Sequence, residues 1–144
     1  MTGIQMMTMG KKLSNAYAEI CAPLCREYDL NQTCFDILMF VANNPEHNTA
    51  RDICELRGIK SGIASVSIDT MVKKGYLTYA CDDGDRRKHR LKPTAKSEVL
   101  IVKGRERQAF FAEMLKNGIT EQEMLIFQGV LAKIQDNLTD FKTV

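Results

Sequence analysis

Residues 82–93 read DDGDRRKHRLKP, and five of the seven side chains from 86 to 92 are lysine or arginine. Cations gathered on so short a segment suit phosphate oxygens, the sequence-independent part of binding to a nucleic acid. The cluster Asp82, Asp83, Gly84 and Asp85 is turn-forming chemistry. It follows the β-forming Tyr76, Leu77, Thr78 and Tyr79 and precedes a return strand expected over residues 88–91. The expected element is a two-stranded hairpin, or wing, carrying Arg86, Arg87, Lys88 and Arg90. One of Arg86 and Arg87 suits a narrow minor groove, and Asp85 is placed to orient it through a charge-assisted bond rather than to touch DNA itself.

Upstream of the hairpin, residues 49–75 read as two short helices joined by a tight turn. Thr49 and Asp52 have the spacing of a capping box, and Ile53 and Leu56 are expected to face inward. Gly58 supplies a reversal that needs positive φ, and Ile59 plugs it. A second helix is expected over residues 61–74, ended by Gly75. Two such helices beside a basic hairpin form a DNA-reading module. On the second helix Ala64, Ser67 or Ile68, Met71 and Val72 form the inward set, which leaves Lys60, Ser61, Gly62, Ile63, Ser65 and Val66 toward a groove. Lys60 and the hydroxyls suit phosphates or base edges, and Ile63 and Val66 suit thymine methyls if they face outward. A helix phase misread by one residue would make Ile63 and Val66 core instead.

Other chemistry is thinner. Cys21, Cys25, Cys34, Cys54 and Cys81 form no CxxC pair and no finger spacing, and an odd number leaves no complete disulfide set, so reduced cytosolic thiols are expected. Structural zinc would need a fourth ligand such as His47 beside Cys21, Cys25 and Cys34. The commoner reading of those thiols is as small buried hydrophobes. A redox switch at Cys21, Cys25 or Cys34 is an alternative to a ligand-driven one. His47 follows Asn44, Pro45 and Glu46 in an expected loop, with no nucleophile and base spaced around it, so neither an enzyme nor a cofactor site is expected.

The 144 residues, 44% hydrophobic and 26% charged, match one soluble globular domain or a compact module with helical extensions. No apolar run approaches the roughly 20 residues needed to cross a bilayer, and the first residues lack a secretory pattern, so a cytoplasmic protein is expected. A net charge of +2 is too small to identify a nucleic-acid binder by itself, and the distribution carries that argument.

Helical periodicity fills the remainder. Residues 8–28 carry Met9, Leu13, Ala16, Tyr17, Ile20, Cys21 and Leu24 on one face, with Pro23 expected to bend the helix near Ala22. Residues 31–43 place Phe35, Leu38, Met39 and Ala42 on one side, with Asn31 as cap. A long helix is expected over residues 95–117 with Val99, Val102, Phe110 and Met114. A last one follows Gly118, opened by a Thr120–Glu123 capping box and striped by Met124, Phe127, Leu131, Ile134, Leu138 and Phe141. These terminal helices have little central domain to cover, so part of their apolar surface is expected to meet a second copy. The expected fold is mainly α with a small β-wing. A winged helix-turn-helix over residues 31–94 is flanked by dimerisation helices over residues 1–30 and 95–144.

This order of elements resembles the multiple-antibiotic-resistance regulator (MarR) family over most of the chain. LNQTCFDILMFVANNP at residues 30–45, DICELRGIKSGIASVSIDTMVKKGYL at 52–77 and DRRKHRLKPT at 85–94 carry the resemblance. The Asp-Arg-Arg tip followed by Leu-x-Pro-Thr and a long helix is its most specific part. The resemblance implies a bacterial transcription factor, most often a repressor, that binds double-stranded DNA as a two-fold homodimer. Each 61–74 helix would lie in a major groove and each wing over a minor groove, at half-sites about one duplex turn, roughly 34 Å, apart. It further implies a small aromatic effector bound between the dimerisation helices and the winged module. Relatives often carry Arg where Val66 stands and Ser at Lys60, so the operator does not transfer. Those that sense peroxide place their cysteine near the start of the first helix, around Gly10 here. A non-DNA-binding interaction module is a further alternative, suggested by Gly62 and Val66.

Overall fold

The computed structural model describes residues 1–80 and 89–141. The hairpin tip, with Asp85, Arg86, Arg87 and Lys88, lies outside them. In chain order the described elements are α1 (Gly3–Glu27), α2 (Gln32–Asn43), α3 (Ala50–Arg57), α4 (Ser61–Lys73), β1 (Leu77–Ala80), β2 (Arg90–Pro93), a 3-10 turn (Ala95–Ser97), α5 (Glu98–Lys116) and α6 (Glu121–Asp140). The two strands pair antiparallel. No helix among the described residues is long and apolar enough to cross a membrane.

Local chemistry sets most of the boundaries. The first amides of a helix have no partner within it, and a short polar side chain at the cap supplies one. Asn31 accepts from the Cys34 amide at 2.8 Å and starts α2. Thr49 and Asp52 start α3 reciprocally, at 3.1 and 3.2 Å, and the bonds from Thr49 hold the Asp52 carboxyl below its ordinary range. Thr120 and Glu123 do the same for α6. A fourth cap departs from expectation. Thr2 and Gln5 form a capping box, so α1 begins at Gly3 rather than near residue 8. Its first turns are exposed on every side and lack the one-sided apolar pattern that announces a helix. Pro23 lies inside α1, which continues to Glu27.

The core runs through α2. Cys34, Phe35, Ile37, Leu38, Met39 and Val41 are all buried, because α1, α3, α4 and β2 each pack against this helix. A single apolar stripe would have left Ile37 and Val41 outside, and Ala42, placed inward by that stripe, is only half-buried. Cys21, Leu24 and Cys25 of α1 and Leu100 and Ile101 of α5 belong to the same core as Ala64, Ile68, Met71, Leu77 and Leu91. Gly104 permits the approach of α5 to α2: a Cβ there would lie 2.5 Å from Met39 Sδ and 3.2 Å from Phe35 Cε2.

Two expectations are corrected. Leu56 is 58% exposed, so Ile53 alone of that pair anchors α3. Leu56 follows Ile53 by three residues, but across its two turns this eight-residue helix buries Ile53 alone. The strands lie one to two residues later than expected, at Leu77–Ala80 and Arg90–Pro93. Tyr76 is a good β-former by composition, yet its amide closes the end of α4. Pro93 ends the ladder opposite Leu77, where a missing amide is tolerated.

The chain divides between Ala109 and Phe110 into two compact units. The second holds the end of α5, a turn at Gly118 with φ of +76°, and α6. None of the residues of α6 is buried, and Phe127, Leu131 and Leu138 are 53%, 41% and 63% exposed.

Candidate nucleic-acid interface

The turn from α3 to α4 is built from three residues. Gly58 takes φ of +71° and caps α3 with its amide on the Cys54 carbonyl at 3.2 Å. Ile59 packs against the core, and Lys60 becomes the N-cap of α4 with extended backbone and no side-chain bond to the helix amides. Lys60 is exposed at this end of the helix, where its side chain leaves the first amides uncapped.

Four buried residues, Ala64, Ser67, Ile68 and Met71, fix the rotation of α4 about its axis. The Cys34 thiol also donates to the Ser67 carbonyl at 3.8 Å. With that phase set, Lys60, Ser61, Gly62, Ile63, Ser65 and Val66 are all exposed, Ile63 at 52% and Val66 at 68%. The alternative in which Ile63 and Val66 fill the core does not apply. The same phase exposes Asp69 and Lys73, which are absent from the residues expected at a groove. Gly62, Val66, Asp69 and Lys73 are spaced four, three and four residues apart, the pattern of one helix face, so the signal was available in the periodicity.

The exit from α4 is clamped. Gly75, at φ of +80°, donates to the Val72 carbonyl at 3.0 Å, and Tyr76 donates to the Met71 carbonyl at 2.9 Å, the two bonds of a Schellman motif. Lys96, at the root of α5, donates to the Lys74 carbonyl at 2.6 Å and lies 4.7 Å over the Tyr76 ring. A cation at a helix C-terminus is favourable against the helix dipole. Lys74 in turn contacts the backbone carbonyl and carboxylate of Asp29 in the α1–α2 turn. At the other end of the motif, Arg57 of α3 meets Asp36 of α2 at 3.1 Å, and Gln32 donates to the same carboxylate at 2.9 Å. Burial raises the Asp36 carboxyl pKa, against the lowering effects of Gln32 and Arg57. Arg57 thus ties the end of α3 to α2 from the exposed side.

The wing base pairs Leu77 with Pro93, Thr78 with Lys92, Tyr79 with Leu91 and Ala80 with Arg90. Leu77 and Leu91 are buried beneath it. The loop before α3 adds a third edge, with the Leu91 amide on the Asn48 carbonyl at 2.8 Å and a bridge between Thr49 and Arg90. Of the sequence-predicted wing residues, Arg90 alone lies among the described ones, half-buried at the start of β2. The exposed His89 ring meets Tyr79 edge-on at 5.4 Å.

The thiols and His47 lie apart from this surface. His47 is exposed, 3.9 Å from Glu46. Cys21, Cys25 and Cys34 are buried, and burial pushes all three thiols up, that of Cys25 to about 11. Thiolate is the reactive form, so burial disfavours reaction at these side chains near neutral pH. In native protein they should alkylate with iodoacetamide at least tenfold more slowly than half-buried Cys54, as read by site-resolved mass spectrometry. Equal rates at Cys25 and Cys54 would restore the redox reading.

A helix-turn-helix whose second helix turns serines and exposed aliphatic side chains outward, next to an antiparallel hairpin, defines the winged-helix class. The MarR family matches residues 28–88. Over nearly the whole chain the fold is that of a crystallised transcriptional regulator, at 25% identity and a TM-score of 0.82, covering 94% of this chain and 98% of that one. A Listeria monocytogenes regulator crystallised with a 26mer DNA is similar at 19% identity and a TM-score of 0.82, with 93% and 89% covered. NadR, in complex with 4-hydroxyphenylacetate, is similar at 17% identity and 0.73, with 92% and 90% covered. Residues 28–88 thus match the MarR family, and the winged-helix fold of crystallised transcriptional regulators extends over nearly the whole chain.

Proposed function

We propose that this protein is a homodimeric, cytoplasmic repressor that grips a pseudo-palindromic operator and releases it when a small aromatic molecule binds. The observation that carries the reading is the phase of α4. Its apolar anchors are fully spent on the core, while Lys60, Ser61, Gly62, Ile63, Ser65 and Val66 stand free on the opposite side, next to the wing base. The DNA complex of the Listeria neighbour supports this choice of partner, and the 4-hydroxyphenylacetate complex of NadR supports an aromatic acid as effector class. A second copy is supported by apolar residues left exposed on each terminal helix: Met9 and Leu13 on α1, Phe110 and Met114 on α5, and Phe127 and Leu131 on α6.

Selecting bound duplexes from a random pool tests the reading. The expected result is a near-palindrome whose half-sites are centred about one duplex turn apart, as two-fold symmetry demands. Arg86→Ala and Arg87→Ala should each weaken binding to that duplex and shallow its salt slope by about 0.9 for each phosphate no longer neutralised. Unchanged titrations for both variants would remove the wing from the mechanism. A monomer at micromolar concentration with no affinity for any duplex would end the proposal.

A further inference from the structure

The outward face of α4 is unusual in what it offers a base pair. Between Ser61 and Asp69 its exposed side chains are Ser61, Ile63, Ser65, Val66 and Asp69, with Gly62 contributing none. No Arg, Lys, Asn or Gln stands there, so the side chains that grip guanine or adenine edges through two bonds are missing from the middle of the helix. What projects farthest is aliphatic: Val66 is 68% exposed and Ile63 is 52% exposed. Both are branched, lie three residues apart and flank the same groove-facing line. Gly62 precedes Val66 by one turn on that line, and a Cβ there would meet nothing within 4 Å, so packing within the chain does not require the glycine, which leaves the helix without bulk at that point. Thr70 is committed elsewhere, its hydroxyl donating to the Val66 carbonyl at 2.9 Å.

Two aliphatic side chains set among serines are too small a patch to hold a protein partner. Asp69 apart, the charges around them suit a polyanion. Lys60 stands at the uncapped positive end of α4, Lys73 is exposed near the other end, and Arg90 and Lys92 follow on β2. The apolar feature a major groove offers is the C5-methyl of thymine.

Resting on the DNA-binding reading, we propose that Val66 and Ile63 select the operator by contact with thymine methyl groups, so that each half-site carries thymines under α4 and affinity depends on their methyls. Ser61, Ser65 and the helix amides hold the register on phosphates, and the two aliphatic side chains supply the discrimination.

Deoxyuridine in place of thymidine removes the methyl and leaves every hydrogen-bonding group of the base pair unchanged. Single replacements through one half-site of the selected duplex should weaken binding by about fourfold at each contacted methyl, from the transfer value of one buried carbon. Val66→Ala should abolish that penalty at one position and Ile63→Ala at another. Both side chains face solvent, so melting temperatures should not move, and neither side chain is charged, so salt slopes should stay as in the parent. Uracil and thymine duplexes bound equally by the parent would overturn the inference while leaving DNA binding intact. A uracil penalty that survives in both variants would overturn it as well, because the methyl contact would then lie on another residue. Absence of binding to any duplex at low salt would overturn the DNA reading together with the inference built on it.

Discussion

Leu131→Glu should break the proposed homodimer into monomers and lower operator affinity by about a hundredfold or more. Leu131 lies near the middle of the α6 stripe with Phe127 and Leu138, and it is 41% exposed within one protomer. A carboxylate there costs the isolated chain little. Enclosed in an apolar interface between copies, it must shed its water without a partner, which costs several kcal/mol. The functional loss is larger than that from any single wing residue because it removes a geometry rather than a bond. With two modules linked, docking the first makes docking of the second intramolecular, and that effective concentration vanishes when the copies part. Sedimentation should show one protomer, with circular dichroism unchanged. A Leu131→Glu protein that still sediments as a dimer and binds its duplex normally would exclude α6 from the interface.

Phe35→Ala should lower the stability of the winged module by about 3–5 kcal/mol, the range for truncating a buried aromatic without collapse of the site. Phe35 is fully buried, at the place where α5 comes close enough to α2 that only Gly104 fits opposite its ring. The cavity cannot close easily, because Met39, Leu38 and Leu100 are themselves fully enclosed. Urea unfolding should show the midpoint fall with its slope retained. A loss under about 1 kcal/mol would mean that the core relaxes around α2 far more than native packing density permits. Val66→Ala is the natural counterpart, since it should change binding and leave stability where it was.

Much of the candidate interface is legible in the residues alone. The rotation of α4 follows from Ala64, Ser67, Ile68 and Met71 recurring at helical spacing, and that pattern places Lys60, Ser61, Gly62, Ile63, Ser65 and Val66 outward. Asp69 and Lys73 belong to the same face but lie beyond the first two turns, next to the polar exit of the helix, where a charged side chain is ordinary and carries no signal of its own. The brace between Asp36 and Arg57 is not readable, since it joins residues on two helices with an intervening turn and a loop. The same holds for Lys96 on the carbonyl of Lys74, the C-cap of α4, which joins positions 22 residues apart.

The residues by themselves determined where most of the helices begin and end. Caps at Asn31, Thr49 and Thr120 and left-handed glycines at 58, 75 and 118 act within four or five positions, where neighbouring atoms suffice to make or refuse a hydrogen bond. Which side of an element meets the core was decided in three dimensions. Ile37 and Val41 are buried because four elements surround α2, and Leu56 is exposed because α2 and α4 cover α3 at Ile53 and leave Leu56 open. Periodicity records an apolar residue's preference for burial, but the area actually removed from water depends on what else in the chain arrives to cover it.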